Sequence, residues 1–264
     1  DAGGDRAAPK AVVRVLGRPR IEDPPAGLKV RSAAIELMVY LAVHRDGAHA
    51  DQVMDELLPE VRHRLAAGRL HTAASNLRHL LAGAAGDADP GDYVVKERGR
   101  YRLNPRAVDV DLWRLRAACA RAAATRDPSA RLAALREACR AYRGELAEGC
   151  DYDWITSHRQ GVRVLGVDAH AAAAAAVADS DPGEAARLLR AAVEHDPANE
   201  EVCQQAMRAY AHLGDAEAIR SLLRQLALAL DGIGVEPSED TVALADDLRR
   251  DLDDRRDRVA STDP

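Results

Sequence analysis

The sequence predicts a mostly α-helical protein with a small β-sheet and a β-hairpin near its N-terminus. Phe is absent and aromatic residues make up 3% of the chain, so its cores must consist of Leu, Val and Ala, which suit closely packed helices. With 264 residues, 47% of them apolar, the chain is long enough for two domains. From Ser32 onward, apolar residues recur mainly at intervals of three and four, which is the helical period.

The first elements are predicted to be short strands. Ala11–Leu16 is a run rich in Val that ends at Gly17, and Arg20–Glu22 could return against it. A third strand is predicted at Leu28–Val30. These strands would form a small N-terminal sheet.

Two helices are predicted next. The first begins at Ser32 and stops at Asp46-Gly47. Asp51 is predicted to cap the second helix, which Pro59 ends.

A third helix follows, and its two faces differ sharply. Its apolar stripe is Leu70, Ala73, Ala74, Leu77 and Leu81, which predicts burial against a partner element. The other face holds no acidic residue and carries side chains that can donate hydrogen bonds to phosphates and base edges, namely Arg69, His71, Thr72, Ser75, Asn76, Arg78 and His79.

A hairpin is predicted over Asp92–Leu103, as two β-prone runs around Gly99. Its candidate contact residues are basic: Lys96, Arg98, Arg100 and Arg102. An Arg at a hairpin tip can enter a DNA minor groove or remain solvated, and the sequence leaves both open. A short sheet, three helices and a hairpin in this order are typical of a winged helix, whose third helix enters the major groove while the hairpin touches the backbone or minor groove.

Charge is distributed unevenly along the chain. Residues 1–110 hold 17 Lys and Arg against 15 Asp and Glu, whereas residues 111–264 hold 20 against 28. Residues 61–106 hold 9 basic and 4 acidic residues. A basic segment on a chain of net charge −6 favours one module that meets nucleic acid and one that does not, although scattered arginines would also give such counts.

Four segments resemble the N-terminal winged helix of the Streptomyces antibiotic regulatory protein family, which is similar to the OmpR/PhoB type: Val15–Ile21, Glu36–Ala42, Arg69–Arg78 and Gly99–Leu103. The resemblance implies sequence-specific binding to double-stranded DNA, usually at direct repeats, and activation of transcription through RNA polymerase. Many relatives carry Arg or Lys where this chain has Asn76 and His79, and losing cations there weakens salt-dependent affinity.

The second half is predicted to be helical throughout. Asp127-Pro128, Asp181-Pro182 and Asp196-Pro197 are each expected to open a helix. Helix pairs that repeat at a period of about 34 residues predict a tetratricopeptide-like array. The helical segments concerned are Pro182–Pro197, Glu200–Leu213 and Ala216–Leu230.

This half resembles the bacterial transcriptional activator domain at Tyr142–Leu146, at Met207–Tyr210 with Leu213–Asp215, and at Gly234–Ser238 with Thr241. The expected domain plan is a linker over residues 1–10, a winged helix over 11–107, the activator domain over 108–258 and a tail over 259–264. The chain is expected to be part of a longer protein.

Other kinds of site find little support. Cys119, Cys139, Cys150 and Cys203 form no CxxC pair, so no metal site is predicted, and a reducing cytoplasmic compartment is favoured. No cofactor or catalytic motif occurs and no apolar run is long enough for a membrane span, so neither an enzyme nor a membrane-spanning chain is expected. Trp113 and Trp154 are predicted to anchor cores, with a pocket-lining role for Trp154 as the alternative.

Two hypotheses of different classes follow. In the first, the chain is a DNA-binding transcriptional regulator whose helical domain serves assembly, possible homodimerisation and regulation. In the second, the winged helix has lost its DNA contacts, and the acidic helical array binds a protein or small ligand within a larger signalling protein. A shift assay with DNA fragments distinguishes the two hypotheses: the first predicts binding that weakens with salt, and the second predicts no binding.

Overall fold

The computed structural model describes residues 10–87 and 89–260. The predicted linker and tail therefore lie outside the described residues, except for Lys10 at one end and residues 259–260 at the other. The described chain is mostly helical, as predicted. It forms two compact units: described residues up to 117 together with 141–162, and residues 118–140 together with the described residues from 163 onward.

The strands, in chain order, are β1 (Ala11–Arg14), β2 (Arg20–Ile21), β3 (Ala48–His49), β4 (Val94–Glu97), β5 (Arg100–Leu103) and β6 (Val108–Val110). The helices are α1 (Ser32–Val43), α2 (Ala50–Leu57), α3 (His63–Ala85), α4 (Asp111–Ala124), α5 (Pro128–Ala141), α6 (Thr156–Val177), α7 (Pro182–His195), α8 (Glu200–His212), α9 (Ala216–Asp231) and α10 (Glu239–Ala260).

The N-terminal sheet has the order β2-β1-β6, with β1 antiparallel to β2 and parallel to β6. The strand predicted at Leu28–Val30 is wrong, because this segment lies in the loop between β2 and α1. Its backbone bonds to a side chain of α3 instead, as described below. The sheet is completed by β6, for which Val108 and Val110 supply buried side chains.

Helices α1 and α3 follow the predicted pattern, and α2 differs at its start. The N-cap residue of α2 is His49, so Asp51 lies in the first turn and the predicted cap is wrong. The reason is the strand pairing of β3 with β5, since the amide of Ala50 donates to Gly99 O at 2.9 Å and fixes where the helix begins.

The predicted hairpin is confirmed as β4 and β5, joined by Arg98 and Gly99. Both turn residues have positive φ, +48° and +80° respectively. This is the conformation that a two-residue hairpin turn of the type I′ class requires. The second sheet has the order β3-β5-β4.

Several helices of the second unit start at an acidic or amide side chain that caps them. Asp181 accepts from Glu184 N at 2.8 Å, and Asp215 accepts from Ala218 N at 2.9 Å. The prediction that Asp196-Pro197 opens a helix is wrong. Helix α8 begins three residues after Pro197, and the side chain of Asn199 caps it. The core of this unit joins α7, α8 and α9 through small and aliphatic side chains such as Ala206 and Leu222.

The segment 141–162 belongs to the first unit. Its Leu146 forms backbone bridges with Leu16 and Gly17, next to the end of β1. Trp154 donates its indole N–H to Glu36 Oε1 at 3.3 Å and packs edge-on against Tyr40, both of which lie on α1. Burial raises the pKa of the Glu36 carboxyl, and the bond from Trp154 partly opposes this shift.

The two tryptophans both contact α1. The Trp113 indole is 6% exposed and donates to Ala42 O at 2.7 Å, which agrees with a core anchor. Trp154 is only partly buried and stacks on Tyr152.

Among the described residues, none of the helices combines the length and the apolar character needed to cross a membrane.

Candidate nucleic-acid interface

Helix α3 buries the stripe that the sequence predicted. Leu70, Ala73, Ala74, Leu77 and Leu81 are each at most 6% exposed. Gly86, with φ +71°, ends the helix, and Gly86 N and Asp87 N donate to the carbonyls of Gly83 and Ala82. The helix is therefore held in the core by its apolar stripe, and its polar side faces outward.

The outward side of α3 is centred on Thr72, Ser75 and His79. Successive residues turn by about 100° on an α-helix, so these three project within roughly one quarter of its circumference. Thr72 and His79 are exposed, and both bond to carbonyls within α3: Thr72 Oγ1 donates to Gly68 O, and His79 Nδ1 lies 2.7 Å from Ser75 O. His71 is also exposed, at the edge of this surface.

Arg69 and Arg78 occupy opposite flanks of α3, because nine residues correspond to about two and a half turns. Arg69 is exposed and lines a groove of about 610 Å³ between α3, α1 and α2. Arg78 is partly buried and donates from Nε to Val94 O at 2.7 Å. The two cations therefore do not lie side by side, and Arg78 joins α3 to the hairpin.

Asn76 lies on the same flank as Arg69, and both ends of its side-chain amide form hydrogen bonds. Its Nδ2 donates to Lys29 O at 3.2 Å, and its Oδ1 accepts from Arg31 N at 3.3 Å. The amide thus bonds to the backbone on both sides of Val30.

The four basic residues of the hairpin have different surroundings. Lys96 lies with its Nζ 5.1 Å from the centre of the Tyr101 ring. Arg100 donates to Gly47 O at 2.7 Å, and Arg102 lies 3.5 Å from the Glu97 carboxylate. Arg98 is exposed at the tip, and the described residues offer it no ion pair.

The outer face of the hairpin is not purely basic. Glu97 is paired with Arg100 across the strands, and Asp46 lines the same depression as Arg98, Arg100 and Arg102. These acids offset part of the cationic charge there, so the tip, at Arg98, is the part of the hairpin best suited to contact an anion.

Comparison with known proteins places the second half in a family. The model of the bacterial transcriptional activator domain matches residues 108–249, more than half of the chain. The chain belongs to the bacterial transcriptional activator domain family. This family consists of transcription regulators, and the comparisons indicate no enzyme family. A search of the curated proteins finds no match.

One similar solved structure is that of Mycobacterium tuberculosis EmbR in complex with a low-affinity phosphopeptide. It has a TM-score of 0.63 and 24% sequence identity, and the match covers 92% of this chain. It covers 65% of the EmbR chain, so this chain spans just under two thirds of that protein's length. At this identity the likeness concerns the fold.

Within the activator-domain match, a polar cluster fastens the start of α10. Glu200 Oε2 accepts from Ser238 N at 3.0 Å, from Ser238 Oγ at 2.6 Å and from Thr241 Oγ1 at 2.5 Å. Thr241 is fully buried and also accepts from Gln204 at 2.7 Å. The hydrogen bonds from Ser238 and Thr241 lower the pKa of the Glu200 carboxyl.

Sequence reasoning missed two residues beside α3, namely Lys29 and Arg31. Both are exposed, and Arg31 lines the same groove as Arg69 and Thr72. Their basic character was a usable signal, but a strand predicted over Leu28–Val30 does not place them beside α3.

Proposed function

We propose that this chain is a DNA-binding transcriptional regulator of the Streptomyces antibiotic regulatory protein type, and that α1–α3 with β4–β5 act as its winged helix. The observation that carries the proposal is the Arg78–Val94 bond, which couples a polar, acid-free helix face to an arginine-tipped hairpin. A major groove admits an α-helix, and a hairpin fixed beside that helix lies within reach of the neighbouring backbone.

The side chains of α3 divide into two roles under this proposal. Thr72, Ser75, His79, His71 and Arg69 face DNA and contact base edges and phosphates. Asn76 and Arg78 chiefly hold neighbouring segments in place, although the terminal nitrogens of Arg78 remain available for a phosphate.

The hairpin supplies backbone contacts. Arg98 at the tip enters the minor groove or meets a phosphate, since a narrow minor groove attracts Arg. Lys96, Arg100 and Arg102 add positive charge behind the tip.

The helical unit serves assembly and regulation, and RNA polymerase is the expected partner of an activator. Both statements come from the family resemblance, and a homodimer bound to direct repeats fits the same scheme.

A salt titration tests the proposal. Fluorescence anisotropy with labelled genomic fragments between 50 and 200 mM salt should give an apparent affinity that falls steeply, with a log–log slope of about −0.9 for each phosphate contacted. Binding that is absent, or that does not respond to salt, would contradict the proposal.

A second candidate function rests on a groove in the helical unit. A depression of about 610 Å³ between α6, α7 and α8 is lined mainly by Ala side chains and edged by Asp179, Arg208 and His212. Small side chains allow close approach of another chain, so this unit could instead bind a protein or small ligand. Two results together would favour that function. The wild-type chain would bind no DNA, and the R208A variant would lose binding to a partner that the wild type binds.

A further inference from the structure

The loop between β2 and α1 runs along one flank of α3. At one end, Pro25 packs on α3 so tightly that a Cβ added at Gly83 would lie 2.5 Å from Pro25 Cγ. Seven residues earlier on the helix, Asn76 bonds to the backbone of Lys29 and Arg31. Seven residues are almost two full turns, so both attachment points lie on the same side of α3.

The loop continues toward the N-terminal half of α3. Arg31 lines a groove together with Gly68, Arg69 and Thr72. Arg69, Thr72, Asn76 and Gly83 follow helical spacing, so they form one stripe that the loop accompanies. The hairpin lies against the opposite flank through Arg78.

Two of the exposed side chains of this loop, those of Lys29 and Arg31, are cationic, and they alternate with the exposed apolar side chains of Leu28 and Val30. Lys29 and Arg31 are both exposed, and the described residues provide neither of them with an ion pair. Asp23, at the far end of the loop, lies six positions before Lys29. The edge of the α3 surface nearest to Asn76 is therefore lined by two unpaired positive charges.

We propose that Lys29 and Arg31 bind phosphates of duplex DNA, and that Asn76 is the positioning residue that holds them beside α3. A helix in the major groove has a phosphate backbone on each side of it. The hairpin reaches one backbone, and the loop reaches the other. This inference rests on the proposed function and extends it to residues that no family motif contributes.

The proposal also explains what Asn76 does. A cation at position 76 could meet one phosphate, whereas the amide donates to Lys29 O and accepts from Arg31 N at the same time. Lys and Arg side chains have no acceptor, so neither could form both bonds. The charge absent from position 76 is replaced by two charges on the loop.

The test uses the full chain and a fluorescein-labelled 30-base-pair duplex of random sequence, because phosphate contacts do not depend on sequence. The K29A/R31A variant changes only exposed side chains. Its matched control is R126A/R131A, which removes two exposed cations from the region of α5. Anisotropy is measured from 50 to 200 mM salt, and circular dichroism checks that each variant folds.

The K29A/R31A variant should reduce the log–log salt slope by about 1.8, or about 0.9 per lost phosphate contact, while R126A/R131A leaves the slope unchanged. Over this fourfold range of salt, the wild type should then lose about tenfold more affinity than K29A/R31A. If both double variants keep the wild-type slope, the inference about the loop is wrong and the proposed function stands. If the wild type itself does not bind in a salt-sensitive way, both fail.

The role of Asn76 has its own readout. N76A should lower the salt slope although it removes no charge, and adding N76A to K29A/R31A should lower it no further. A purely structural role would reduce thermal stability without moving the slope. If the triple variant had a lower salt slope than K29A/R31A, Asn76 would contact DNA itself, and the positioning role would be wrong. The K29A/R31A comparison does not depend on how well N76A folds.

Discussion

The guanidinium of Arg78 donates from Nε to the carbonyl oxygen of Val94 at 2.7 Å, and this single bond ties the third helix to the first strand of the hairpin. Val94 is fully buried and Arg78 is half-buried, so the bond is partly shielded from water. Hydrogen bonds from charged groups contribute about 1.5–3 kcal/mol.

R78A should therefore lower the free energy of unfolding by about 1–3 kcal/mol in urea titrations. H79A is the matched control, because His79 is exposed and its hydrogen bond, to Ser75 O, lies within its own helix. It should change stability by less than about 0.5 kcal/mol. Equal effects of the two variants would show that the bond to Val94 does not fix the hairpin.

The hairpin tip should separate stability from binding. Arg98 has a φ of +48°, a conformation that Asn adopts more readily than Arg in a turn followed by Gly. R98N should raise the free energy of unfolding by up to about 1 kcal/mol and yet reduce the salt slope of DNA binding by about 0.9. R98A is the control, since it removes the same charge without the turn preference; a stability gain in R98A as large as in R98N would refute the explanation.

The second unit should lose stability in mild acid because of His195. Burial, with a further contribution from the neighbouring His170, lowers the pKa of His195 to about 4. The unfolded chain takes up this proton below about pH 6.5, whereas the folded chain resists it until about pH 4. The free energy of unfolding should therefore fall as the pH drops through this window, by at most about 3 kcal/mol from this residue.

Urea titrations at pH 7, 5.5 and 4.5 measure this effect. H195Q should flatten the decline because Gln does not titrate, while H212Q, which alters an exposed residue in the last turn of α8, should keep the wild-type decline. An unchanged decline in H195Q would assign the acid sensitivity to other groups.

The Glu200 cluster should control how firmly the last helix is held. E200Q replaces a charged acceptor of three hydrogen bonds with a neutral amide, which should cost about 1–2 kcal/mol. Hydrogen exchange should then speed up at the amides of α10. E201Q, one residue away and exposed, is the control, and similar exchange in both variants would rule out a special role for Glu200.

The elements that the sequence predicted well are those set by local pattern. The stripe of Leu70, Leu77 and Leu81 fixed the buried face of α3, and Gly99 marked the hairpin turn. The helices α7 to α9 also fall where periodicity placed them, although Asp196-Pro197 does not open a helix.

Other failures involve bonds between residues distant in sequence. Leu28–Val30 satisfied the composition rule for a strand, but Asn76, more than 40 residues away, occupies the backbone groups on either side of Val30. A periodic pattern likewise cannot predict the hydrogen bond from Arg78 to Val94 O. The DNA-contacting roles of the α3 and hairpin side chains remain predictions.

The return of residues 141–162 to the first unit bears on how such regulators can evolve. Leu146 completes the backbone bridges beside β1, and Trp154 covers part of α1. A gene fusion that exchanged everything after residue 107 would strip these partners from the N-terminal module and expose apolar surface. This connection therefore favours inheritance of the two halves as one block over recombination at residue 107.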